Sequence, residues 1–349
     1  MAAGFPLAVI FGCSGPVLGD GERRFFGESD PLGFILFARN CENPGQVRRL
    51  VGDLRACVGR SDAPILVDQE GGRVVRLKPP HWRAPPAPAR FAKLARRDPR
   101  RAVRAARLNA RLIAAELFDL GITVNCAPVL DLPRADADPI IGDRAAGDTP
   151  DVAALLGRAA CEGFLAGGVA PVIKHIPGHG RATSDSHKEL PLVEASWKEL
   201  ERVDFAPFRA LKEMPWAMTA HVAYQVVDGQ APATTSAKVI EEVIRGAIGF
   251  QGLLVSDDLE MRALQGGLGE RARAALAAGC DLLLHCNGSI AEMSSVASAS
   301  TPLSRAAAGR LARAGGQASM PQAFDAKAAA AELDAVSYTH LTLPTNREV

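Results

Sequence analysis

Eight short, largely apolar runs recur along the chain, most of them ending in or followed by a polar residue or glycine, and segments of helical period separate most of them. They are Leu7–Phe11, Gly33–Phe37, Pro64–Val67, Thr123–Ala127, Val172–His175, Ala217–His221, Leu253–Ser256 and Asp281–His285. Runs this apolar read as strands covered on both faces, and such strands alternating with helices form a parallel sheet, because each parallel return needs a crossover. Eight units in a chain of 349 residues suit a closed (β/α)8 TIM barrel, a fold of ~250 residues plus insertions. The alternative is a doubly wound open sheet, which would carry a glycine fingerprint after its first strand. Gly12-Cys13-Ser14-Gly15 does not match GxGxxG.

The intervening segments carry their own start signals. Asn43-Pro44 predicts a cap and a first-turn proline, ahead of an apolar face of Val47, Leu50, Val51 and Leu54. Longer helices are expected over 101–120 and 151–165. Ser196 with Glu199 reads as a capping box for a helix carrying Leu200, Val203 and Phe208. Ser236 is a cap for a helix through Ile248, and 270–278 supplies the next.

Composition narrows the partners. The chain has 40 Lys plus Arg against 39 Asp plus Glu, a net charge of +1, so no global field holds a polyanion or an anionic membrane surface. Hydrophobic residues make up 48% and charged residues 23%, a folded balance that excludes intrinsic disorder. No apolar run reaches the ~18–20 residues of a membrane span, and no basic n-region precedes a signal-type segment, so a cytoplasmic location is expected. The seven cysteines are odd in number, widely spaced and free of CxxC pairs. They read as reduced, mostly buried thiols.

Three long polar or proline-rich insertions, 78–90, 131–150 and 176–192, all follow strands. In a barrel these positions converge on the C-terminal face, where active sites of this architecture lie. The strand ends there supply Asp68-Gln69-Glu70, Lys174-His175, His221 and Ser256-Asp257-Asp258. Several charges at one mouth favour a site, since each costs desolvation energy unless paired or used; a structural ion pair is the competing reading for any one alone.

The stretch 174–190 is the most informative. It holds His175, His179, His187, Lys174 and Asp185, with Asp185 and His187 one residue apart. A carboxylate beside an imidazole fixes its tautomer and suits it to proton transfer near neutrality. An Asx-turn with a solvated histidine is the plain alternative. The histidine spacing does not reproduce HExxH or other zinc patterns, and a Schiff-base role for Lys174 would need a depressed pKa.

Four segments together carry a resemblance: 68–74 (DQEGGRV), 141–145 (IGDRA), 174–180 (KHIPGHG) through Asp185-Ser186-His187, and 256–261 (SDDLEM). In this order they resemble the motif series of glycoside hydrolase family 3, in its bacterial β-N-acetylglucosaminidase (β-hexosaminidase) branch. The resemblance implies a single TIM barrel and a retaining exo-β-N-acetylglucosaminidase with Asp257 as nucleophile. It also implies His187 as acid/base, held by Asp185, with Asp68, Arg144, Lys174 and His175 gripping sugar hydroxyls and Arg76 a weaker candidate. Adjacent Asp257 and Asp258 point to opposite sides of a strand, and only the motif match chooses between them.

Other implications concern setting. The substrate would be a small carbohydrate or muropeptide, N-acetylglucosamine on 1,6-anhydro-N-acetylmuramic acid, met in the cytoplasm during peptidoglycan recycling. No metal or organic cofactor is implied, and a monomer is expected. A β-glucosidase or an N-acetylglucosaminide phosphorylase of the same family would use the same dyad. A catalytically silent muropeptide sensor would be expected to lose Asp257 or His187, and both are present. The stretch after the eighth run is too short for the second α/β domain of many family members. Composition shifts abruptly after Ala335, so 1–335 is read as the barrel domain and 336–349 as a disordered tail resembling translated adapter sequence.

Overall fold

The structure, a computed structural model, describes residues 4–186, 189–318 and 320–338. Eight parallel strands close into a barrel: β1 (Leu7–Gly12), β2 (Pro31–Leu36), β3 (Ile65–Val67), β4 (Val124–Asn125), β5 (Ala170–Ile176), β6 (Trp216–Thr219), β7 (Leu253–Asp258) and β8 (Leu282–His285). Each pairs with its sequence neighbours, and β1 pairs with β8 to complete the ring. All eight predicted runs thus contribute a barrel strand. The sixth is shorter than its apolar run, leaving His221 beyond the strand end. A small separate ladder joins Leu192–Val193 to Ala223–Tyr224.

Strand alternation sorts the side chains into two cores. Ile10, Val172, Leu253 and Val255 belong to the cluster filling the barrel, whereas their neighbours Val9, Phe11, Ile173 and Leu254 pack in the layer shared with the helices. This period of two fixes which side of each strand faces the lumen. Helix Arg305–Gln317 brings Ala307 and Ala314 onto the lower end of the inner cluster, and Leu303 N–H bonds Pro6 O at 2.8 Å beside it.

Most helix signals act as read. The Asn43 side chain accepts from Gln46 N–H, Pro44 opens the first turn, and Val47, Leu50, Val51 and Leu54 are buried. Pro99–Asp119 and Pro150–Ala166 begin under Asp98 and Thr149 caps. The Ser196 box is only half formed: Ser196 accepts from Glu199 N–H, but the Glu199 carboxylate pairs with Arg181 at 2.8 Å. That helix stops at Arg202, and Phe208 sits on a second short helix, Ala206–Ala210. Beyond Ser236 the turns over Val239–Ala247 are of the wider π type, Ile248 N–H reaching Val243 O at 2.8 Å. The last helix, Ala326–Tyr338, runs past Ala335, and Val336 packs on the core while its carbonyl accepts from Arg101. Residues 339–349 of the expected tail lie outside the described residues.

The loop after β5 is pressed against the loop after β4. A Cβ on Gly180 would stand 2.0 Å from Leu132 O, with two more backbone atoms of Leu132 within 2.8 Å, so neither side can yield cheaply. Gly180→Ala is therefore expected to cost about 1–3 kcal/mol of stability through overpacking. A urea unfolding midpoint equal to that of the parent would show instead that the two loops are not held together.

Candidate active site

A cavity of about 240 Å³ opens at the C-terminal mouth, above Ile35, Met218 and Leu284, which are the upper layer of the inner core. Its walls carry Asp68, Glu70, Arg76, Arg144, Lys174, His175 and Asp257. Period-two alternation accounts for two of these. Val172 and Val255 face the lumen, so Lys174 and Asp257, two residues further on, face it too.

A buried charge network forms one wall. The Lys174 ammonium lies 2.8 Å from Asp68 Oδ1 and 2.7 Å from Glu70 Oε1. Arg76 closes on Asp68 Oδ2 at 3.0 Å, and Arg144 clamps both Glu70 oxygens at 2.9 Å in a bidentate fork. Burial alone would neutralise these groups, but the partners outweigh it: Asp68 and Glu70 are held below the usual carboxylate range by Lys174 with Arg76 and Arg144, and Lys174 is pushed above its ordinary value.

Histidines form a second part of the site. His175 Nδ1 lies 2.6 Å from Asp131 Oδ2, while Asp131 also accepts from His175 N–H (3.2 Å) and His179 N–H (2.7 Å). With Nδ1–H donated to the buried Asp131, Nε2 faces Asp257 Oδ2 at 4.0 Å. His179 Nε2 meets Ser186 Oγ at 3.0 Å, and burial with the neighbouring His175 lowers its pKa to about 4, so it is neutral. His221 bridges Thr234 Oγ1 (2.6 Å) and Asp258 O (2.9 Å), fixing the end of β7 from β6's side.

The two adjacent aspartates differ sharply. Burial raises Asp257, but His175 and His221 hold it below the ordinary value, and its Oδ1 accepts from Asp258 N–H at 2.8 Å. Asp258 is pushed up to about 6 by burial, with Asp257 contributing. Unlike Asp68 and Glu70, Asp257 is held ionised with no Lys or Arg ion pair among the described residues.

Six of the predicted site residues, Asp68, Arg76, Arg144, Lys174, His175 and Asp257, thus line one cavity. Asp185 is half-buried beside Ser186, which lines it. His187 lies outside the described residues. Arg144 and Arg76 reach the cavity by way of Glu70 and Asp68. Three participants had no assigned role in the sequence: Glu70, Asp131 and His221. Glu70 and His221 stood among the strand-end residues of the sequence, without a role. Asp131 stands beyond the end of β4 in a polar loop and had no local signal.

The family match spans the cavity residues. The Glycosyl hydrolase family 3 N terminal domain matches residues 30–312. The chain belongs to glycosyl hydrolase family 3. A beta-hexosaminidase from Alkalilimnicola ehrlichii is 42% identical over 283 residues, covering 80% of each chain, and one from Pseudomonas aeruginosa is 40% identical over 76% of this chain and 78% of its own. The crystal structure of NagZ from Neisseria gonorrhoeae in complex with N-trifluoroacetyl-D-glucosamine superposes with a TM-score of 0.86 at 32% identity, covering 97% of this chain and 100% of that one.

In this family 3 barrel the charge network is a stability element with a defined sign. Glu70→Gln leaves Lys174 and Arg144 short of one buried anion, and a loss of about 3–5 kcal/mol is expected by chemical denaturation. The depressed carboxyls Asp68, Glu70 and Asp131 contribute stability that is present above their unfolded pKa values of about 4 and lost as pH falls through their lower folded values. Unfolding free energy should therefore fall on acidification below pH ~4. It should do so less steeply in Glu70→Gln than in the parent; parallel curves would contradict the assignment.

Proposed function

We propose that the chain is a retaining exo-β-N-acetylglucosaminidase that works through a covalent glycosyl-enzyme. Its substrates on this reading are cytoplasmic muropeptides bearing N-acetylglucosamine on 1,6-anhydro-N-acetylmuramic acid, cleaved by a monomer during peptidoglycan recycling. The observation that carries the proposal is the contrast among the cavity carboxylates: Asp68 and Glu70 are clamped by cations, whereas Asp257 keeps an oxygen facing the cavity with only an imidazole 4.0 Å away. An anion held ionised and left unclamped suits attack on an anomeric carbon.

In the first half-reaction an Asp257 oxygen bonds to C1 as the C1–O bond breaks, and the leaving oxygen takes a proton from His187. In the second, His187 accepts a proton from water, the water oxygen bonds to C1, and Asp257 leaves as the carboxylate. Asp68, Lys174 and His175 would hold the sugar hydroxyls, with Arg144 and Arg76 keeping the first two in place. Asp185 would orient His187. The names of the beta-hexosaminidase relatives support the substrate class, and no chelatable group enters either step.

Asp257→Ala is expected to lower hydrolysis of an aryl β-N-acetylglucosaminide by several orders of magnitude with the fold intact by circular dichroism; near-normal turnover would remove Asp257 from the nucleophile's role. NMR of the first product should show the β-anomer, and an initial α-anomer would overturn retention. His187→Ala should impair disaccharide substrates far more than activated aryl glycosides, because a good leaving group needs little protonation. Equal losses on both would assign His187 a structural part.

A further inference from the structure

Next to the cavity, at the β7 and β8 ends, lies a second group of side chains that the hydrolytic reading does not use, of which Asp258 also lines the cavity. One ligand atom each of Asp258, Glu260 and His285 lies within 4.8 Å of the others. Glu292 joins them: its Oε2 is 3.8 Å from His285 Nε2, and Asn287 Nδ2 donates to both Glu260 and Glu292. Three carboxylates therefore meet here, and none forms an ion pair with Lys or Arg among the described residues. Arg271, which reaches this turn, directs its N–H groups to the carbonyls of Leu259, Met261 and Gly266.

The histidine is the independent observation. His285 is fully buried, and neither ring nitrogen is in good hydrogen-bond geometry with a partner, Asn287 being its polar neighbour. A buried imidazole normally binds through at least one nitrogen, since an unmet polar group costs ~1–3 kcal/mol. Here the ring instead faces a group of acids at the edge of the barrel mouth, reachable from solvent past the half-exposed Glu292. One imidazole nitrogen with two or three carboxylate oxygens is a common donor set for first-row divalent metals, with bonds of ~2.0–2.2 Å.

We propose that Asp258, Glu260 and His285 form a binding site for a divalent first-row cation, with Glu292 as a further ligand or outer partner. The bound ion ties the turn after β7 to the end of β8 and neutralises the crowded acids one residue from Asp257. It takes no part in either hydrolytic half-reaction, so the site stands or falls apart from the proposed function.

The test is Mn2+ titrated into the metal-stripped full chain, with free Mn2+ read by electron paramagnetic resonance. One saturable site per chain is expected. Glu260→Gln should weaken it about tenfold or more, while Asp257→Asn, which alters the neighbouring cavity, should change it far less. Glu260 is only partly buried, so that variant keeps the fold. Pulsed measurements on bound Mn2+ should show an imidazole nitrogen coupling from His285. Absence of saturable binding, equal losses in the two variants, or bound Mn2+ without nitrogen coupling would each overturn the proposal.

Discussion

Lys174 carries an ammonium group into the mouth of the barrel, where water is largely excluded, and the surrounding architecture is arranged around keeping it there. Its two carboxylates come from the loop after β3, and a second cation from the loop after β4 completes the neutralisation through Glu70. Removing any one member leaves an unpaired buried charge, which costs far more than the pair contributes. Three consecutive strand ends are thereby tied to one another by charge as well as by backbone hydrogen bonds. The histidine wall is then free to be set by a single further carboxylate, Asp131.

The same economy explains why Asp257 can be left without a cation. Its ionisation is held by imidazoles and a backbone N–H, which stabilise the anion without a fixed counter-charge over the oxygen that faces the cavity. The strand beneath it decides its orientation. Leu253 and Val255 fill the lumen, and the alternation that packs them also aims Asp257 upward into the cavity and turns Asp258 toward β8.

Much of this was legible in the sequence because it rests on local patterns. Eight apolar runs mark eight strands, Asn43-Pro44 marks a helix start, and the residues closing strands three, five and seven mark the mouth. The run at 217–221 did not show where β6 stops; the strand ends at Thr219, and the ring of His221 beyond it bonds to Thr234 and Asp258. Glu199 looked like a capping residue because the pattern is local, yet Arg181 from another loop claims its carboxylate. Asp131 and Glu70 acquire meaning only through partners 44 and 74 residues away. Such long-range pairings leave no periodic trace.

The inner core also has a consequence for traffic. Ile35, Met218 and Leu284 floor the cavity, and below them the barrel is filled down to helix Arg305–Gln317. Among the described residues the chamber is a well closed from below. Whatever enters first sits deepest, so in the proposed reaction the departing half of the substrate is the outer plug and must clear the well before water can reach the sugar left behind. A closed floor thus imposes on the proposed reaction the order of events that a two-ended channel would have to enforce with a gate.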